Sequence, residues 1–245
     1  VVPALHPRLR GLARHPHAPL AVAAGLPDFL SRHPHFQDHP VTNRLRDLAL
    51  QIRQAKTPER AATLAAELLD LVEAITLMHH EAGHAAAYYA LTPASQIHLV
   101  RVTFDPQEIP VPGFHQFAAV VRELPDTWPQ DEHEALLELA CLLAGPLHTP
   151  VYEGRYGQAH MRQDVALQGT DALRVEELLA AFAEDGLDPE AQRREAERLA
   201  TNPTLLPPIR ELARALFDAW EEGQRDVPGY VVEAVLARHL RRPRA

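Results

Sequence analysis

Apolar residues recur at three- and four-residue intervals through most of the chain, the spacing that lines one face of an α-helix. Leu45, Leu48 and Ile52 carry it first, in a segment that Thr42 or Asn43 can cap and that predicts a helix to about residue 55. Thr57-Pro58-Glu59 opens the next helix, since threonine is a good cap and proline is favoured in the first turn. Leu64, Leu68, Leu71, Ile75 and Met78 form its stripe, and no breaker appears before Gly83, so one long helix is predicted to about residue 90. Thr92-Pro93 ends it. Two runs rich in β-branched and aromatic residues follow, 97–104 and 114–121, separated by Pro106, Pro110, Pro112 and Gly113. They predict an antiparallel strand pair. From Gln130 the helical period returns, with helices predicted over about 131–145, 159–184, 188–200, 205–222 and 228–241. Gly145-Pro146, Gly186, Asn202-Pro203, Pro207-Pro208 and Gly223 supply the breaks.

Residues 1–40 stand apart. Seven prolines, from Pro3 to Pro40, are interleaved with six histidines there. Proline removes backbone donors and interrupts helices, so the expectation is an irregular Pro/His-rich extension with one short helical turn near 26–31, ahead of a domain spanning 41–245. Composition sharpens the fold class. Hydrophobic residues make up 46% of the 245 and aromatics only 6%, with alanine and leucine dominant. That mixture favours helices, and the expected fold is mainly α with a small antiparallel β element.

Charge and cysteine usage exclude several classes. A net charge of −9 gives nucleic acid no electrostatic footprint. The single cysteine, Cys141, rules out a disulfide framework within the chain and a cysteine-based zinc site; it reads as a small buried hydrophobe. A reducing, cytoplasmic setting is the corresponding expectation. No run approaches the roughly 18–20 apolar residues of a membrane span, so no membrane segment is expected.

The chemistry concentrates in His80-Glu81-Ala82-Gly83-His84, an H-E-x-x-H pattern inside the long predicted helix. Residues four apart lie one turn along an α-helix and about 40° around it, so both imidazoles project from one face and can share a Zn²⁺ ion. Glu81 is rotated by about 100°, beside the ion, where a carboxylate can take a proton from activated water and pass it on. His79 points away from His80 and is not expected to be a ligand. Glu73, seven residues before His80, is placed either to order an imidazole through a hydrogen bond or to stand as a surface carboxylate. A helix-interior glycine costs about 1 kcal/mol relative to alanine, so Gly83 implies a close neighbour. Two histidines leave a catalytic zinc site incomplete, and the missing protein ligand has to come from a later segment.

His80-Glu81-Ala82-Gly83-His84-Ala85 resembles the HEAGHA motif of the peptidase domain of FtsH-type ATP-dependent zinc proteases. Residues 97–104 and the following strand stand where that family has a strand pair. Glu138 to Gly145 (ELACLLAG) resembles its apolar helix ending in a glycine pair, and Val151-Tyr152-Glu153-Gly154 its L-V-F-G turn. Gly157 to Val165 (GQAHMRQDV) stands where the family reads G-A-x-N-D-L. The resemblance covers about residues 65–240 and implies a helical zincin-like metallopeptidase domain. It carries the third ligand onto Asp164; His160, Glu138 and Glu153 are the alternatives. The sequence departs from the family at Thr149-Pro150, where an acidic pair is usual, and at Pro146 in place of arginine. The family's ATPase module and membrane anchor are not among these 245 residues.

The expected activity is zinc-dependent, ATP-independent cleavage of peptide bonds in unfolded or flexible segments, with Glu81 as base and His80, His84 and Asp164 on the metal. The partner is then a peptide or unfolded protein. The related proteases act as rings, which raises the expectation of a homo-oligomer. The alternative is a catalytically inactive, peptidase-like zinc module acting in protein–protein interaction.

Overall fold

Among the described residues, prolines open helices more often than they end them. The computed structural model describes residues 17–93, 97–104, 118–123, 125, 128–149 and 170–243. Helix α1 (Ala18–Arg32) has Pro19 in its first turn, a 3₁₀ turn begins at Pro34, and α2 (Pro40–Gln54) begins at Pro40. First-turn amides have no intrahelical acceptor, so proline forfeits nothing there. The expected irregular stretch is therefore corrected over 18–36. Val22, Ala23, Leu26, Phe29 and Leu30 bury at helical spacing, and α1 accommodates Pro27 in its interior. Residues 1–16 of the expected extension lie outside the described residues.

Helix α3 (Pro58–Leu91) runs 34 residues, as its unbroken stripe predicts, and Thr57 caps it by accepting from the Arg60 amide at 3.3 Å. The chain divides into two compact units, with the division inside α3 between Ala74 and Ile75. In the first, α1 packs on α2 around Phe29, Phe36, Leu45 and Ile52, all buried. His39 caps α2 by accepting from the Val41 amide at 3.1 Å, in place of the expected Thr42 or Asn43. Thr42 instead donates to the Phe36 carbonyl.

The second unit holds the rest of α3, a sheet and the remaining helices. Strand β1 (His98–Thr103) pairs antiparallel with β2 (Ala119–Glu123), with an irregularity between Leu99 and Arg101. The strand runs to Glu123, two residues beyond the predicted 121, and residues 114–117 of the prediction lie outside the described residues. Helix α4 (Glu132–His148), capped by Asp131, passes through Gly145-Pro146, where a break was expected. The Thr149 hydroxyl donates to the Gly145 carbonyl at 2.6 Å and its amide to the Pro146 carbonyl at 3.3 Å, satisfying the groups that the added turn would leave bare.

Helices α5 (Thr170–Glu184), α6 (Pro189–Ala200) and α7 (Leu206–Glu221) follow. Strand β3 (Asp226–Pro228), absent from the sequence prediction, completes a three-stranded antiparallel sheet of order β2-β1-β3. Helix α8 (Gly229–Leu236) lies on β1 so closely that a Cβ at Gly229 would overlap the Leu99 carbonyl. Helix α4 packs against α6 and α5. The protein is mainly α with one small antiparallel sheet, as composition and periodicity predict. Among the described residues no helix is long and apolar enough to cross a membrane.

Candidate metal centre

His80 and His84 lie one turn apart on α3, and their Nε2 atoms approach to 3.0 Å with the rings nearly perpendicular, at 82°. The first turn of α5 brings Asp171 to them, its Oδ2 3.4 Å from His84 Nε2. One donor atom from each of the three lies within 4.8 Å of the others, an arrangement able to hold a metal ion. Ligand atoms on a tetrahedral Zn²⁺ with bonds of 2.0–2.1 Å stand about 3.3 Å apart, so the residues fit such an ion. His84 is buried, whereas His80 and Asp171 are half-buried.

The outer contacts decide which nitrogens face inward. His84 Nδ1 donates to the Cys141 carbonyl at 2.8 Å, which leaves the Nε2 lone pair free to coordinate. The Thr149 hydroxyl has spent its proton on the Gly145 carbonyl, so it accepts from His80 Nδ1, at 3.4 Å. Two lone pairs pointed at each other at 3.0 Å repel unless a positive charge joins them. A proton is one solution. Burial and the neighbouring His84 hold His80 down to about 3. Burial also opposes charge on His84, but Asp171 and Glu81 outweigh it and raise its pKa. A cation is the other solution, and it satisfies both rings and Asp171 together.

Glu81 is 5% exposed and sits beside the cluster. Its Oε2 accepts from the Val120 amide at 2.9 Å. Burial pushes its carboxyl up to about 8, against the pull of His84 and the Val120 amide. That amide points away from β1, on the outer edge of the sheet, and strand alternation turns the Val120 carbonyl the same way.

Gly83 and Gly145 make the site's packing feasible. A Cβ on Gly83 would stand 2.7 Å from the Ala144 carbonyl oxygen, so α3 and α4 touch backbone to backbone there, the close neighbour that Gly83 implies. A Cβ on Gly145 would lie 2.6 and 2.7 Å from His84 Cε1 and Cδ2, and closer still to Nε2. Glu138, a candidate ligand by sequence, is otherwise engaged. It is 1% exposed, paired with both Arg122 terminal nitrogens at 2.6 and 2.7 Å, and accepts from Trp128 Nε1 at 3.2 Å. Arg122 in turn stacks on Tyr88, 4.1 Å from the ring centre. His79 turns back to its own helix, bonding the Ile75 carbonyl at 3.2 Å, as expected of a non-ligand. The imidazole Nδ1 atoms find their partners on Cys141 and Thr149, and not on Glu73.

His80, Glu81 and His84 thus come together as the H-E-x-x-H spacing requires. Asp164, His160 and Glu153 lie outside the described residues. Among the described residues, the carboxylate that joins the two imidazoles is Asp171, which sequence reasoning passed over. Of the helix predicted over 159–184, residues 170–184 are described as α5, and Asp171 lies in its first turn, where the helix dipole favours an acidic side chain; residues 159–169 lie outside the described residues. Compared with known proteins, the chain matches no family model and no curated protein.

Proposed function

We propose that the chain is a zinc-dependent endopeptidase that cleaves extended, unfolded peptide segments without ATP. The observation that carries this reading is the convergence of two imidazole Nε2 atoms and the Asp171 carboxylate beside Glu81. Two imidazoles and a carboxylate suit Zn²⁺, and two of the three come from one helix turn. The likeness of His80 to Ala85 to the HEAGHA motif points the same way. Held by His80, His84 and Asp171, zinc would supply Lewis acidity, acidifying a water and polarising a peptide carbonyl.

The protein's own groups do the rest. Val120 N–H holds Glu81 Oε2, and a cation held beside it would oppose the burial that raises this carboxyl to about 8, leaving Oε1 ionised to take the water's proton and return it to the departing amine nitrogen. Among the described residues β2 ends the sheet, and its outward main-chain groups other than the Val120 amide, which Glu81 holds, would pair with an extended substrate; recognition by backbone pairing selects accessible, unstructured segments over folded ones. Purified protein loaded with zinc is expected to cut an unfolded protein or a peptide library. Glu81→Gln is expected to keep stoichiometric zinc and lose cleavage by at least about 100-fold. Unchanged turnover in that variant removes Glu81 as the base.

A second reading is an inactive zinc module acting in protein–protein interaction. The burial of Glu81 and its engagement by the Val120 amide favour it. Stoichiometric zinc with no cleavage of any peptide in the library is the outcome that selects it.

A further inference from the structure

We propose that Thr149 is a positioning residue of the metal centre, acting through His80. The inference rests on the metal-site reading and adds to it the side chain that fixes a ligand's tautomer. Cys141, Gly145 and Thr149 are spaced four apart at the C-terminal end of α4, one turn between each. This short row meets both imidazoles. Cys141 presents a carbonyl to His84 Nδ1, Gly145 makes room for the His84 ring, and Thr149 presents a hydroxyl to His80 Nδ1. The first two contributions come from backbone. Among the described residues, Thr149 supplies the one side-chain partner of either Nδ1.

Its direction is settled by proton count. A hydroxyl has a single proton, and that of Thr149 goes to the Gly145 carbonyl at 2.6 Å. Towards His80 it can only accept, so His80 carries its proton on Nδ1 and turns a bare Nε2 to the ion. Thr149 is 6% exposed, and its branched Cβ restricts χ1, so the acceptor is held in place. Partners of this kind set ring orientation and tautomer, and losing one typically costs 10–100-fold in metal affinity. The residue stands where the sequence departs from the FtsH-type pattern, so the departure has a role of its own in this chain.

The test is competitive titration of Zn²⁺ against a chelator, with Co²⁺ absorption as a second signal, on wild type, Thr149→Val and Thr149→Ser. Thr149→Val keeps the shape without the acceptor. It is expected to bind zinc about 10–100-fold more weakly and to shift the Co²⁺ d–d bands, while Thr149→Ser stays near wild type. Valine binding as tightly as threonine, or serine failing along with valine, overturns the inference and leaves the zinc reading standing. Absence of metal binding by the wild type overturns both. Should Thr149→Val not fold, ¹⁵N spectra of the wild-type histidines decide. His80 is expected as the Nδ1–H tautomer, and an Nε2–H signal refutes the role.

Discussion

Gly145 shows how little room the centre leaves at the level of one residue. In most helix interiors a change from glycine to alanine is stabilising by about 1 kcal/mol. Here the added methyl falls on the His84 ring, which is tied to the Cys141 carbonyl and cannot swing clear cheaply. Gly145→Ala is expected to leave a folded protein whose zinc affinity, measured by calorimetric titration, is at least about tenfold lower. Affinity equal to wild type would show that the ring is not held where the geometry places it. At this scale the sequence was eloquent about the ligands on α3 and silent about their supports. Four-residue spacing puts His80 and His84 on one face whatever surrounds them. Which carbonyl, hydroxyl or missing Cβ meets them depends on how α4 packs, and Thr149-Pro150 reads as mere departure until it does.

Among the elements, the strand edge and α4 are joined by one buried pair. Arg122 on β2 grips Glu138 on α4 with two hydrogen bonds, and the guanidinium covers Tyr88 on α3. Removing one partner strands a charge that is 1% exposed. Arg122→Met is expected to cost about 3–5 kcal/mol in urea denaturation. Adding Glu138→Gln, which neutralises the orphan while keeping an acceptor for Trp128, is expected to recover part of that loss. A single variant as stable as wild type would mean that the pair does not anchor β2. The helices were legible because their apolar stripes are long. The misplaced helix boundaries share a cause, which is that proline and glycine were read as breakers. Pro19, Pro34 and Pro40 occupy first turns, and Pro146 sits inside a helix whose end Thr149 closes. The three-residue β3 has too few positions to show an alternation, and only pairing with β1 reveals it.

For the whole molecule, every group assigned to the centre belongs to the second unit: His80, Glu81 and His84 from α3, Val120 from β2, Cys141 and Gly145 from α4, Thr149 from its C-cap, and Asp171 from α5. A ligand that binds only the native state stabilises what it touches. Zinc is therefore expected to slow amide hydrogen exchange in the later half of α3, in α4 and at the start of α5, and to leave α1 and α2 unchanged. Mass spectrometry of exchanged peptides reads this directly, and protection centred on the first unit would place the ion elsewhere. The hold of Glu81 on Val120 bears on solubility as well as chemistry. Among the described residues β2 is an end strand; an outward amide there invites a neighbouring copy to pair with it, and the carboxylate occupies that amide. An inert variant made for trapping substrate should accordingly keep an oxygen at position 81, because an alanine there removes the proposed base and also uncaps a sticky border.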